Sequence, residues 1–96
     1  MYIVSITYKC KLTEIEDHLA AHVAFLDRYY SVGNFIASGR KNPRTGGVIL
    51  ANVDSRDELD RILEEDPFKV NHLANYEVIE FIASKTTVEA NFMLNI

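Results

Sequence analysis

Apolar and polar positions alternate through residues 2–9, with Tyr2, Val4, Ile6 and Tyr8 on one side and Ile3, Ser5 and Thr7 on the other. A two-residue period rich in β-branched and aromatic side chains predicts a first strand. The period then lengthens. Ile15, Leu19, Val23, Leu26 and Tyr30 advance by four, four, three and four residues, which predicts one long helix with that stripe buried. Thr13 and Glu16 have the spacing of a capping box, and Gly33 stands where a left-handed C-terminal cap belongs. Phe35–Arg40 reads as a second strand and residues 48–53 as a third, joined by the hairpin Asn42-Pro43-Arg44-Thr45-Gly46-Gly47. Ser55 and Glu58 repeat the capping-box spacing and open a second helix with Leu59, Ile62 and Leu63 inward. Asp66-Pro67 resets the chain, and alternation returns in Tyr76–Ile82 as a fourth strand.

The order βαββαβ is that of an α+β, ferredoxin-like arrangement, in which both helices cover one face of a four-stranded antiparallel sheet. Apolar residues on both faces of strands one, three and four are hard to reconcile with one face in water. A homodimer with sheets packed face to face follows as the expectation. Residues 1–84 make up the domain. The tail, residues 85–96, carries Val88, Phe92, Met93, Leu94 and Ile96, and is expected to pack on its own domain or on a neighbouring subunit.

Composition narrows the function classes. A chain of 96 residues, 48% hydrophobic and 25% charged, is one small folding domain. Its net charge of −4 argues against nucleic acid as a partner, because phosphate contacts need clustered Lys and Arg. No apolar run approaches the roughly 18 residues of a membrane span, and the first residues lack a signal peptide's basic region. A cytoplasmic location is the default. The single cysteine, Cys10, can form neither an intrachain disulfide nor a Cys-rich zinc site, and reads as a small buried side chain.

Two residues carry the candidate chemistry. On a helical wheel His22 lies about 60° from Leu19 and about 40° from Leu26, at the border of the apolar stripe. With His18, Phe25 and Tyr29 it forms a second stripe, suited to lining a pocket beside the helix. Imidazole takes and returns protons near neutral pH once another group fixes its tautomer. Asp66, followed by Pro67, has the form of a helix N-cap, and read alone the carboxylate simply caps Phe68 and Lys69. Read alone, His22 is a helix-edge histidine bonded to backbone or water. Arg40, Lys41 and Arg44 form the densest cationic cluster, either an ordinary solvated hairpin or a site for an anionic small molecule. His18 and His22, at i and i+4, have the spacing of a metal-clasping pair but no third ligand in the motif. No metal or cofactor signature completes itself.

The spacing from His22 to Gly33, the segment Phe35-Ile36-Ala37-Ser38-Gly39, the hairpin glycines, Asp66-Pro67-Phe68 and the closing Glu77-Val78 together resemble the YciI-like (YCII-related) family, from about Tyr2 to Phe81. That resemblance implies a dimeric α+β barrel, related in fold to muconolactone isomerases and to a dehydrochlorinase of chlorinated aromatic breakdown. It also implies a His and Asp pair in a pocket, at His22 and Asp66. The chain departs from the pattern twice. Leu19 stands where many relatives have Arg, and Arg40 follows Ser38-Gly39 where many have Pro.

The reading that combines these features is a small-molecule enzyme, isomerase- or lyase-like, acting on an anionic or cyclic metabolite without a cofactor. His22 is its general acid/base, Asp66 its orienting partner, and Ser38, Arg40 and Tyr8 the substrate contacts. The rival reading is a non-catalytic metabolite-binding or dimeric interaction module. Both require a pocket, and only the first requires a titratable His22 that a ligand can reach.

Overall fold

The first strand's alternation is realised in β1, Tyr2–Tyr8, which forms antiparallel ladders with β3, Gly46–Ala51, and β4, Ala74–Glu80. β2, Phe35–Arg40, pairs with the other edge of β3, and the sheet order is β2-β3-β1-β4. This computed structural model describes all of residues 1–96. In register, Val4 stands opposite Ile49 and Val78, and Ile6 opposite Gly47 and Tyr76. Directly opposed residues share a face. Tyr2, Val4, Ile6, Ile49 and Ala51 are therefore buried against the helices together. Gly46 permits the close approach of β3 to β1: a Cβ there would fall 1.7 Å from the Ile6 carbonyl oxygen. Both partners of β1 start and end two residues before the expected bounds, β3 at Gly46–Ala51 and β4 at Ala74–Glu80.

The long first helix is two helices. α1, Leu12–Asp17, and α2, Leu19–Ser31, meet at His18, whose φ of −109° and ψ of 5° leave the helical region. Lys11 precedes α1 without a side-chain cap. Thr13 therefore lies inside the helix, and the Thr13–Glu16 capping box does not form. Beyond Ile15 the predicted stripe is buried only in part, with Leu26 packed against the core, because the break at His18 resets the helical phase. Leu19, Val23 and Tyr30 are 38%, 45% and 37% exposed, while Phe25 is buried. Phe25 meets Phe35 edge-on with ring centroids 5.7 Å apart, and Tyr29 approaches the same ring at 5.5 Å. Larger aromatic surfaces take the core-facing side of α2, and the aliphatic stripe is turned toward its flank.

Local signals elsewhere hold. Gly33 has a φ of 82°, its N–H reaches the Tyr30 carbonyl at 3.1 Å, and the Asn34 N–H reaches the Tyr29 carbonyl at 2.9 Å. That pair of bonds is a Schellman cap. α3, Arg56–Leu63, starts where the Ser55 hydroxyl accepts the Glu58 N–H at 3.1 Å, and it buries Leu59, Ile62 and Leu63. A single turn, α4, spans Pro67–Val70. After β4 the chain ends in a 3₁₀ helix, Val88–Asn95, with no buried residue. Leu94 and Ile96 line a groove with Met1, Val53 and Glu80 at one end of the sheet. No helix is long and apolar enough to cross a membrane.

Candidate functional site

Asp66 has no exposed surface, yet both of its oxygens are satisfied. As the N-cap of α4, its Oδ1 accepts the Phe68 N–H at 3.1 Å. The same oxygen lies 2.8 Å from His22 Nδ1, and Oδ2 accepts the Tyr76 hydroxyl at 2.5 Å. Capping and pairing with the imidazole are thus simultaneous. Three donors around one side chain suit a carboxylate, which only accepts. Burial, reinforced by the neighbouring Asp66 charge, holds the Tyr76 phenol far above its ordinary range, so it stays protonated and donates.

The network assigns the His22 tautomer. Nδ1–H donates to Asp66, leaving Nε2 as the nitrogen free for a ligand. Phe68 fixes the ring plane: the two rings stack at 4.0 Å with an interplanar angle of 10°. Asp66-Pro67-Phe68 therefore supplies both the acceptor and the stacking plate. The His22 side chain is 12% exposed, and that remaining surface borders a cavity of about 230 Å³.

The cavity lies between α2 and the sheet. Leu19, Val23 and Leu26 form its helix wall, the flank to which the aliphatic stripe was turned. Ile6 and Tyr8 of β1 and Phe68 form much of its floor, with Tyr8 edge-on to Phe68 at 5.9 Å. Ser38 and Arg40 reach it because of a bulge. Phe35 opposes Ala51, but the ladder slips at Ile36, so Ser38 opposes Ile49 and Arg40 opposes Gly47. Without the extra residue both would face the open side of the sheet. The Ser38 hydroxyl bonds the Tyr30 hydroxyl at 2.7 Å. Arg44, on the hairpin, also lines the cavity and bonds Glu16 of α1 at 3.4 Å.

His22, Tyr8, Ser38 and Arg40 border one cavity, and Asp66 stands behind the imidazole. Both positions at which the chain departs from the family pattern, Leu19 and Arg40, are on its wall. His18 occupies the helix break, and no group of three or more His, Cys, Asp or Glu gathers to hold a metal ion. Cys10 is half-buried, with Sγ 3.5 Å from the Leu73 carbonyl oxygen. Burial and then Glu14 push its thiol up, against use as a nucleophile. Sequence reasoning missed Tyr76 and the stacking role of Phe68. A signal existed for Tyr76: strand alternation places it on the core face, where a phenol hydroxyl needs a partner.

The sequence model of the YCII-related domain matches residues 1–82. Among solved structures, the 5-chloro-2-hydroxyhydroquinone dehydrochlorinase of Burkholderia phenoliruptrix AC1100, in complex with 2,5-dihydroxybenzoquinone, superposes with a TM-score of 0.73 at 20% identity, covering 83% of this chain and 91% of that one. SnoaB, a cofactor-independent oxygenase from Streptomyces nogalater, gives a TM-score of 0.49 at 21% identity, covering 91% of this chain and 94% of that one. No curated protein matches the sequence. The first of these likenesses bears on fold, which is α+β with a four-stranded antiparallel sheet.

Proposed function

This chain belongs to the YCII-related family, and on that premise we propose that it is a small-molecule enzyme that moves protons with His22, oriented by Asp66. The observation that carries the reading is the 2.8 Å contact of Nδ1 with a fully buried carboxylate, on an imidazole that borders a cavity. The free nitrogen, Nε2, can act as a general base, and Asp66 stabilises the imidazolium formed when it takes a proton.

The chemistry is isomerase- or lyase-like, on an anionic or cyclic metabolite. Nε2 removes a proton from carbon next to a carbonyl, and the C–H electron pair moves into an enolate. Return of that proton to another carbon completes an isomerisation. Departure of a β-substituent with its bonding pair completes an elimination, and the imidazolium then gives its proton to the leaving group or to water. Ser38, Arg40 and Tyr8 contact the substrate in this scheme. The dihydroxybenzoquinone held by the dehydrochlorinase supports a ligand of similar size, a single oxygenated ring.

A metabolite panel screened by thermal shift, followed by turnover assays on each hit, tests the reading. His22→Ala and Asp66→Asn are expected to lower turnover by about 10²–10⁴-fold while retaining binding. Full turnover in both variants overturns the acid/base roles, and tight binding with no turnover in the wild type makes the chain a metabolite-binding module instead.

A further inference from the structure

The cavity's lining is charged against the sign of the chain. The protein carries a net −4, yet the lining contains Arg40 and Arg44 and no carboxylate. Arg40 has no acidic partner within 4.0 Å, and Arg44 has only Glu16, at 3.4 Å. That bond joins the hairpin to α1 beside the cavity, and Glu16 is 57% exposed. Arg40 and Arg44 also border a polar basin with Lys41 and Asn42, so the approach is cationic too. With Arg44 paired to Glu16, Arg40 leaves one uncompensated positive charge on the cavity wall, and Lys41 adds another on the approach.

Size restricts the occupant as well. At about 230 Å³ the cavity falls below the roughly 300–1,000 Å³ of pockets for drug-sized ligands. The helix wall of Leu19, Val23 and Leu26 asks for an apolar body. We propose that the cavity binds a monoanionic carboxylate no larger than one ring, its head group on Arg40 and Arg44, and that Glu16 competes with the ligand for Arg44. Guanidinium and carboxylate meet through paired hydrogen bonds, and the ligand's carboxylate takes the place that Glu16 holds on Arg44. This deepens the reading of the cavity as a substrate site and concerns recognition rather than proton transfer.

Benzoate and benzamide share a shape and differ in charge, so NMR titration of the full chain with each is the test, following the His22 ring and the Ser38–Arg40 amides. Benzoate is expected to bind about tenfold tighter than benzamide, and Arg40→Gln or Arg44→Gln to remove most of that preference. Glu16→Gln is expected to tighten benzoate about two- to fivefold and leave benzamide unchanged. Equal affinities, no benzoate binding at millimolar concentration, or weaker binding in Glu16→Gln overturns the proposal. The two readings fail separately, because the benzoate-over-benzamide preference reports recognition alone and the turnover of His22→Ala and Asp66→Asn reports proton transfer alone.

Discussion

Asp66 concentrates the energetic stakes of the molecule in one side chain. A buried carboxylate is tolerated only while its oxygens are bonded, and Tyr76 is the sole partner of Oδ2. Tyr76→Phe keeps the ring and removes the donor, so it is expected to lower stability by about 1–3 kcal/mol at pH 7 in urea denaturation. The same phenol makes an alkaline prediction. Its native pKa lies above the ordinary value, through burial first and Asp66 second. Below about pH 10 both folded and unfolded chains keep this proton. Above it the unfolded chain releases a proton that the native one retains, so stability falls as pH rises, by about 1.4 kcal/mol per unit for one such group. Tyr2 and Tyr29 are also raised, but they are common to both proteins and cancel in the comparison. The wild type should therefore lose stability above pH 10 more steeply than Tyr76→Phe by about one proton's worth. Equal slopes would mean that Tyr76 ionises without unfolding.

At the level of elements, the site depends on two irregularities, the break at His18 and the bulge at Ile36. Strand alternation, the Ser55 cap, the Gly33 cap and the Asp66-Pro67 start were legible because each depends on a few adjacent residues. The phase of α2 was not, because a break at an ordinary histidine leaves no Gly or Pro mark in the sequence. Neither was the bulge, since Phe35–Arg40 alternates too weakly to betray an extra residue, and it is the bulge that aims Ser38 and Arg40 at the cavity. In the sequence Gly46 reads as a hairpin glycine; in the structure its need is steric. A Cβ 1.7 Å from the Ile6 oxygen cannot be housed without shifting β3 from β1. Gly46→Ala is expected to cost at least about 3 kcal/mol in thermal unfolding. Gly39→Ala, with nothing within 4 Å of the added carbon, should stay within about 0.5 kcal/mol of wild type. A mild Gly46→Ala would show that the ladder can slide.

On the scale of the whole molecule, the sheet has one covered face and one open face, and the open one is not built for water. Ala37, Leu50, Ile3 and Ile79 form one continuous row across all four strands. Ile79 is 48% exposed, and Phe81, just beyond β4, is 39% exposed. The next row is more polar, with Ser5 beside Glu77, so the apolar surface is confined to one end of the sheet. The alternation of the strands already pointed to this surface and to a face-to-face homodimer as the expectation. We propose that a second copy of the same face covers it, since an apolar row is matched by an identical apolar row across a two-fold axis. Sedimentation at micromolar concentration is expected to give a dimer, and Ile79→Lys, which places a charge in the row, a folded monomer. The His22 cavity lies in the other layer, between α2 and the sheet, so the monomeric variant should bind benzoate as the wild type does. A wild-type monomer would remove the face-to-face dimer, while loss of binding in the Ile79→Lys monomer would mean that the partner subunit completes the site.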